Sequence, residues 1–203
     1  MSALLARLAG KRILAWRLVG LGLVTGIVFG ESRWEGGLFA TACFFAGLAL
    51  AGTATVGRLW CALYISGNKN TRLTTEGPYA LCRHPLYLFN MLGLVGVALS
   101  AEGLSFAILI AATFAVLYPA VMAQEEQLLG ARFGAEYQAY AARVPRFWPR
   151  LQPRQEPERW EVSPHAYFRN MLDSIWFVLL VGLVEVFEAL HELGALPVLW
   201  NYW

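Results

Sequence analysis

Leu104–Ala123 is a run of twenty residues without a charge, and only Ala101–Gly103 separates it from the apolar stretch Leu86–Ser100. As a helix the longer run reaches ~30 Å at ~1.5 Å per residue, the thickness of bilayer hydrocarbon. So short a connection sends the two helices into and out of the membrane as an antiparallel hairpin. Two polar runs flank it: GPYALCRHPLY (Gly77–Tyr87) before, and AQEEQLLGARFGAEYQAY (Ala123–Tyr140) after. Covalent geometry alone returns both runs to one membrane face.

The rest of the chain agrees with a membrane setting. It has 203 residues, of which 58% are hydrophobic and 15% charged, too few charges for a water-soluble domain of this size. Ile13–Phe29 is apolar apart from Arg17, which can snorkel to the interface, and Gly37–Gly57 is uncharged and can continue to Ile65. Basic residues ahead of the first stretch resemble a secretory leader. No small-residue cleavage site follows Phe29, so that stretch is expected to remain as a first helix. Ser174–Val184 offers eleven uncharged residues between Asp173 and Glu185, short for a lipid-facing span. It is expected to cross with Glu185 and Glu188 turned toward other helices; lying along the interface is the alternative. The expected fold is an all-α polytopic transmembrane bundle of about five helices.

Of the sixteen Lys and Arg residues, Arg33 alone falls on the face opposite the two motifs, which makes the motif face cytoplasmic by the positive-inside rule. Trp34, Trp60, Tyr64, Trp148, Trp160, Trp200 and Trp203 stand near predicted span ends, as an aromatic belt requires. The net charge of +2, spread along the chain, gives no reason to expect a nucleic-acid partner. Cys43, Cys61 and Cys82 have no metal-ligand or redox spacing, so neither a disulfide nor a metal is expected. Residues 1–149 read as a core with its motif region at 73–149. Residues 150–164 read as a Pro-rich linker, and 165–203 as a C-terminal membrane or interfacial helix with an aromatic tail.

Gly77-Pro78 makes a turn, and Pro85 suits the first helical position, where a missing N–H costs nothing. Arg83 and His84 then stand beside the free N–H groups of a helix start, a setting that favours a carboxylate or phosphate. Tyr87 follows one turn later. Glu125 and Glu126 run against the basic trend of their face and require a positive or donor-rich partner. Tyr137 and Tyr140, spaced i, i+3, share a face with Phe133. An interfacial cap at Arg83 and an ordinary surface helix at Glu125–Tyr140 are the plain alternatives. Cys82 beside Arg83 has no base in register and is not expected to act as a nucleophile. Glu185, Glu188, His191 and Glu192 form a polar stripe on the last helix, read as interfacial ahead of metal-binding.

Taken in order, Gly77, Pro78, Tyr79, Arg83, His84, Pro85, Tyr87, then Glu125, Glu126, Phe133, Gly134, Tyr137, Tyr140, Val144, Arg146 and Pro149 form a pattern around the hairpin. It resembles the isoprenylcysteine carboxyl methyltransferase-like family of integral membrane methyltransferases, with phospholipid N-methyltransferases as distant kin. The resemblance covers roughly residues 73–149. It implies S-adenosylmethionine bound on the cytosolic side and a lipidic or amphipathic methyl acceptor arriving from the bilayer. Within this set we expect Arg83, His84 and Arg146 to be catalytic, and Tyr79, His84, Pro85, Tyr87, Glu125, Glu126, Tyr137 and Tyr140 to bind the cofactor. Relatives often carry a small residue where this chain has Phe89, a departure that bears on the acceptor route.

Arg83 suits the cofactor carboxylate, Glu125 and Glu126 its diol or ammonium, and the tyrosines its adenine or sulfonium. Two other readings stay open. One is a nicotinamide-dependent membrane reductase of the sterol-reductase type, whose phosphates call for more basic groups than Arg83, Arg143 and Arg146. The other is a non-catalytic membrane interaction module. The acceptor and the oligomeric state are not legible.

Overall fold

A computed structural model of the chain describes residues 3–34, 37–67, 71–150 and 157–203, with side chains from residue 14 onward. Lys69 and Arg154, two of the basic residues in the orientation argument, and 151–156 of the proposed linker lie outside the described residues. Among the described residues five helices make the bundle: α1 (Ala3–Phe29), α2 (Leu38–Ile65), α3 (Pro85–Ser100), α4 (Leu104–Arg143) and α5 (Pro164–Glu192). A 3-10 turn, Gly77–Ala80, precedes α3. Three helices, α2, α4 and α5, are long and apolar enough to cross a membrane, and α3 and the apolar part of α1 are shorter. Their outward faces carry Leu18, Leu21, Phe45, Val56, Ile108, Val116, Ile175 and Trp176 exposed, a surface suited to lipid and not to water. The architecture is the expected all-α polytopic bundle, and the chain is an integral membrane protein.

Small residues set the central contact. Gly47, Ala51 and Ala54 on α2 face Gly96 and Val97 on α3, so the two backbones approach closely, while Gly93 makes room for the Phe177 ring of α5. A Cβ on Gly47 would lie 2.5 Å from the Gly96 carbonyl oxygen and 2.4 Å from the Ser100 nitrogen. Phe177, Val181 and Val184 of α5 close the same core. The fifth helix thus runs to 29 residues, far past the uncharged stretch. It is antiparallel to α2, with Asn170 Nδ2 donating to Ser66 Oγ at 3.3 Å and Thr55 Oγ1 to the Ser174 carbonyl at 3.3 Å.

The hairpin turn closes as the short connection requires. Glu102 takes a left-handed φ of 53°, and the Gly103 N–H returns to the Ala98 carbonyl at 3.0 Å, ending α3. α4 then continues well beyond the membrane run, with Pro119 inside it and a break at Gly134 (φ 52°, ψ −122°). Only glycine adopts that pair of angles without strain.

At the end opposite the motifs, the chain terminus does something the sequence pattern did not announce. Trp200–Tyr202 pairs as a short parallel strand with Gly30–Ser32. Trp203 packs on Trp34 at 5.4 Å, with the Arg33 guanidinium over its ring at 4.3 Å. Trp160 and Tyr64 meet at 5.1 Å at the motif end, so aromatic groups do mark both ends of the bundle.

Candidate functional site

α3 starts at Pro85 with His84 as its N-cap, so the side chains of Arg83 and His84 are presented at the helix mouth. The loop that carries them is pinned by the segment after α4. The Arg83 N–H donates to the Pro145 carbonyl at 2.9 Å, and the Arg150 N–H to the Leu81 carbonyl at 3.0 Å. Tyr140, past the Gly134 break, donates from its hydroxyl to the Tyr79 carbonyl at 2.8 Å. The two motif runs are therefore stitched together by backbone as well as by side chains.

Glu126 is the meeting point. Its Oε1 lies 2.9 Å from Arg83 Nη1 and 3.2 Å from His84 Nε2. Arg146 reaches the same carboxylate with both edges of its fork, Nε to Oε1 at 3.2 Å and Nη2 to Oε2 at 3.1 Å. Bidentate geometry of this kind fixes orientation as well as charge. Arg146 Nη2 also donates to the Pro119 carbonyl at 3.2 Å, which ties the segment after α4 back to that helix. Glu125 takes the other ring nitrogen of His84, with Nδ1 3.4 Å from its Oε2. His84 is buried, 5% exposed, and stacks on Tyr87 at 5.6 Å and 14°.

The adjacent carboxylates thus divide their work. Glu125, with its side chain 47% exposed, lines a cavity of about 230 Å³, whereas Glu126 is absorbed into the charge network beside it. Tyr79, Arg83, His84, Tyr87 and Tyr140 share that lining with Glu125. Tyr137 stands just outside it, its hydroxyl 3.5 Å from Arg83 Nη1. Pro85 acts through the helix start and Arg146 through Glu126. Arg143 is exposed and donates to Ala139 of its own helix at 3.2 Å, away from the cavity. Arg83 Nε is buried with no acceptor among the described residues, an open donor within a lining residue.

Arg72 also lines the cavity, paired with Glu76, and nothing in the sequence marks it beyond its charge in the same connecting loop. Leu129 and Phe133 supply apolar wall. Phe89, the departure from the pattern, turns toward Gly57 of α2, where a Cβ would meet its ring at 2.2 Å. It is accommodated by that glycine and takes no part in the cavity lining.

Burial pushes the phenols of Tyr79, Tyr137 and Tyr140 above their ordinary range, so they stay protonated and serve as donors and aromatic faces. Burial likewise pushes the Cys82 thiol up to about 11, against a smaller downward pull from a backbone hydrogen bond at His84. At pH 7.4 such a thiol is ionised in roughly one molecule in several thousand. Cys82 in folded protein is therefore expected to resist iodoacetamide at pH 7.4 and to label once the protein is denatured. Peptide mass mapping before and after denaturation checks this, and rapid labelling of the folded chain would contradict the buried, protonated thiol.

A second cavity, about 170 Å³, lies at the opposite end and includes Glu31, Glu102, Glu188, His191 and Glu192. The polar stripe of α5 therefore faces Glu31 and Glu102, and His191 Nε2 lies 3.0 Å from the Val28 carbonyl oxygen. Among the described residues no group of three or more His, Cys, Asp or Glu is disposed to hold a metal ion.

Comparison with known proteins places this geometry. The chain is 43% identical over 189 residues to the cobalt-zinc-cadmium resistance protein CzcN of Cupriavidus metallidurans, covering 93% of this chain and 87% of that protein. It is 40% identical over 190 residues to the nickel-cobalt-cadmium resistance protein NccN of Alcaligenes xylosoxydans xylosoxydans, covering 94% and 89%. No solved structure matches. The sequence model for phospholipid methyltransferases matches residues 38–136, from α2 through the hairpin to the Gly134 break. On the match and on the hairpin that joins its two motifs, this chain belongs to the phospholipid methyltransferase family of membrane methyltransferases.

Proposed function

We propose that the chain is an S-adenosylmethionine-dependent methyltransferase that modifies a lipidic or amphipathic acceptor delivered from the bilayer. The observation that carries this reading is the carboxylate of Glu126 joining Arg83, His84 and Arg146 across the hairpin, beside a cavity walled by tyrosines. The residues present suit the cofactor's mixed chemistry. Arg83, with its open buried Nε, suits an amino-acid carboxylate. Glu125, exposed into the cavity, suits an ammonium or a ribose diol. Tyr79, Tyr87 and Tyr140 offer aromatic faces for adenine or for a sulfonium. When bound, S-adenosylmethionine supplies a methyl group on a positively charged sulfur.

The chain's own contribution is positioning and charge. Arg83, Arg146 and Glu126 hold one another in a fixed arrangement, and orientation of two reactants can supply ~7–11 kcal/mol of rate acceleration. Both ring nitrogens of His84 face carboxylates, so an acceptor group reaches either nitrogen only if Glu125 or Glu126 moves aside. A carboxylate acceptor needs no base and suits this arrangement directly. An amine acceptor draws on a rearranged His84. The charge asymmetry supports a cytoplasmic site, reached by the cofactor from water and by the acceptor from lipid.

The two named relatives are resistance proteins for cobalt, zinc, cadmium and nickel. In that setting we infer that methylation of a membrane or membrane-soluble molecule is the chain's contribution to resistance. The decisive experiment incubates purified protein with methyl-labelled S-adenosylmethionine and a total lipid extract, and identifies the product by mass. A labelled lipid that depends on the protein is the expected result. Absence of product from lipids, small thiols and prenylated peptides alike overturns the reading.

A further inference from the structure

We propose that Arg58 holds the phosphodiester of a membrane phospholipid, at a polar site between α2, α3 and α5 distinct from the motif-side cavity. Arg58 is the single charged residue of α2. At ~1.5 Å per residue the 28 residues of α2 extend ~42 Å, so a centred helix overhangs ~30 Å of hydrocarbon by ~6 Å at each end. Arg58 lies seven residues, ~10 Å, from the Ile65 end, and so ~5 Å inside the hydrocarbon boundary. That depth is within an arginine side chain's reach of the headgroup layer.

Its partners are neutral. Nη1 donates to Asn90 Oδ1 of α3, Nε donates to Ser174 Oγ of α5 at 3.4 Å, and the Phe177 ring lies 5.7 Å from the guanidinium carbon. Among the described residues no carboxylate forms an ion pair with it, and Asp173 acts on it only at longer range. A guanidinium has five N–H groups, and two are used here. An unpaired cation at this depth is costly and calls for an anion. Phosphate oxygens match the guanidinium fork. Exposed Leu172, Ile175 and Leu179 of α5 and Val56 of α2 leave the flanking surfaces open to acyl chains, which a free phosphate lacks. The inference needs α2 in a membrane and does not need methyl transfer, so either reading stands without the other.

The test uses full-length protein, stripped of lipid in detergent, with binding read by native mass spectrometry. Dioleoylphosphatidylglycerol is expected to bind at least about tenfold more tightly than dioleoylglycerol, which has the same chains and no phosphate. Arg58→Gln is expected to abolish that preference, and millimolar inorganic phosphate is expected not to displace the lipid. Equal binding of the two lipids, displacement by phosphate, or an Arg58→Gln protein that keeps the preference overturns the proposal. A lowered unfolding midpoint with the preference intact does so as well, because it reduces Arg58 to a helix tie. Should Arg58→Gln fail to fold, a photoactivatable phosphatidylglycerol on the wild-type chain decides. Adducts on peptides carrying Arg58 or Ser174 support the site, and adducts elsewhere alone exclude it.

Discussion

Glu126→Gln is expected to lower the rate of methyl transfer by at least about 100-fold, equivalent to ~2.7 kcal/mol of transition-state stabilisation. The carboxylate compensates two guanidiniums and also contacts the His84 ring, and glutamine carries no charge to compensate either guanidinium. Removing one partner of a fully buried ion pair costs ~3–5 kcal/mol of stability, because the remaining charge is left without compensation. The Glu126 side chain is 18% exposed and Arg146 37%, so solvent relieves part of this and ~2–3 kcal/mol is the expected loss. Glu125→Gln, at the exposed neighbour, should act differently: a rise in KM for the cofactor of about tenfold with kcat nearly kept. Initial rates with labelled cofactor, set beside thermal unfolding in detergent, separate the two. If Glu126→Gln stays within threefold of wild type, or Glu125→Gln is the more damaging, the charge network is not the organising element of the site.

The second large effect lies in the bundle, far from any charge. Gly96→Val is expected to eliminate folded protein, whereas Gly52→Val should be tolerated. A Cβ on Gly96 meets the Ala51 nitrogen and the Gly47 carbonyl oxygen, both at 2.7 Å, and these are backbone atoms that cannot swing aside. Nothing lies within 4 Å of a Cβ on Gly52, which faces outward on α2. Overpacking a core costs ~1–3 kcal/mol when side chains can adjust, and more when two backbones must separate. Because α3 also carries His84 and Tyr87 at its mouth, displacing it from α2 disassembles the site as well. Size-exclusion profiles of fluorescently tagged variants give the result directly. A monodisperse Gly96→Val peak equal to wild type would show that α2 and α3 do not rely on close backbone approach.

These two residues also mark how far inference from the chain alone could reach. The meeting of His84 and Glu126 was legible. Two uncharged stretches joined by three residues allow one topology in a bilayer, and that topology carries both motifs to one face. The helix start at Pro85 and the all-helical class followed from rules of comparable strength. The length of α5 was less legible from hydropathy, because Asp173 and Glu185 interrupt its apolar pattern; its ends are set by the Ser163 cap and by Gly194, at a φ of 67° just past Glu192.

Adjacency in the chain says nothing about how Glu125 and Glu126 divide their roles. On a helix they point ~100° apart, and the position of His84 between them decides which lines the cavity and which joins Arg83 and Arg146. The inclusion of Arg72 in the cavity and the pairing of the terminal strand with Gly30–Ser32 depend on contacts between residues distant in the chain. Periodicity and hydropathy report which surface a residue seeks. They carry no information about which of several compatible partners will be waiting there, and that choice belongs to the packed fold.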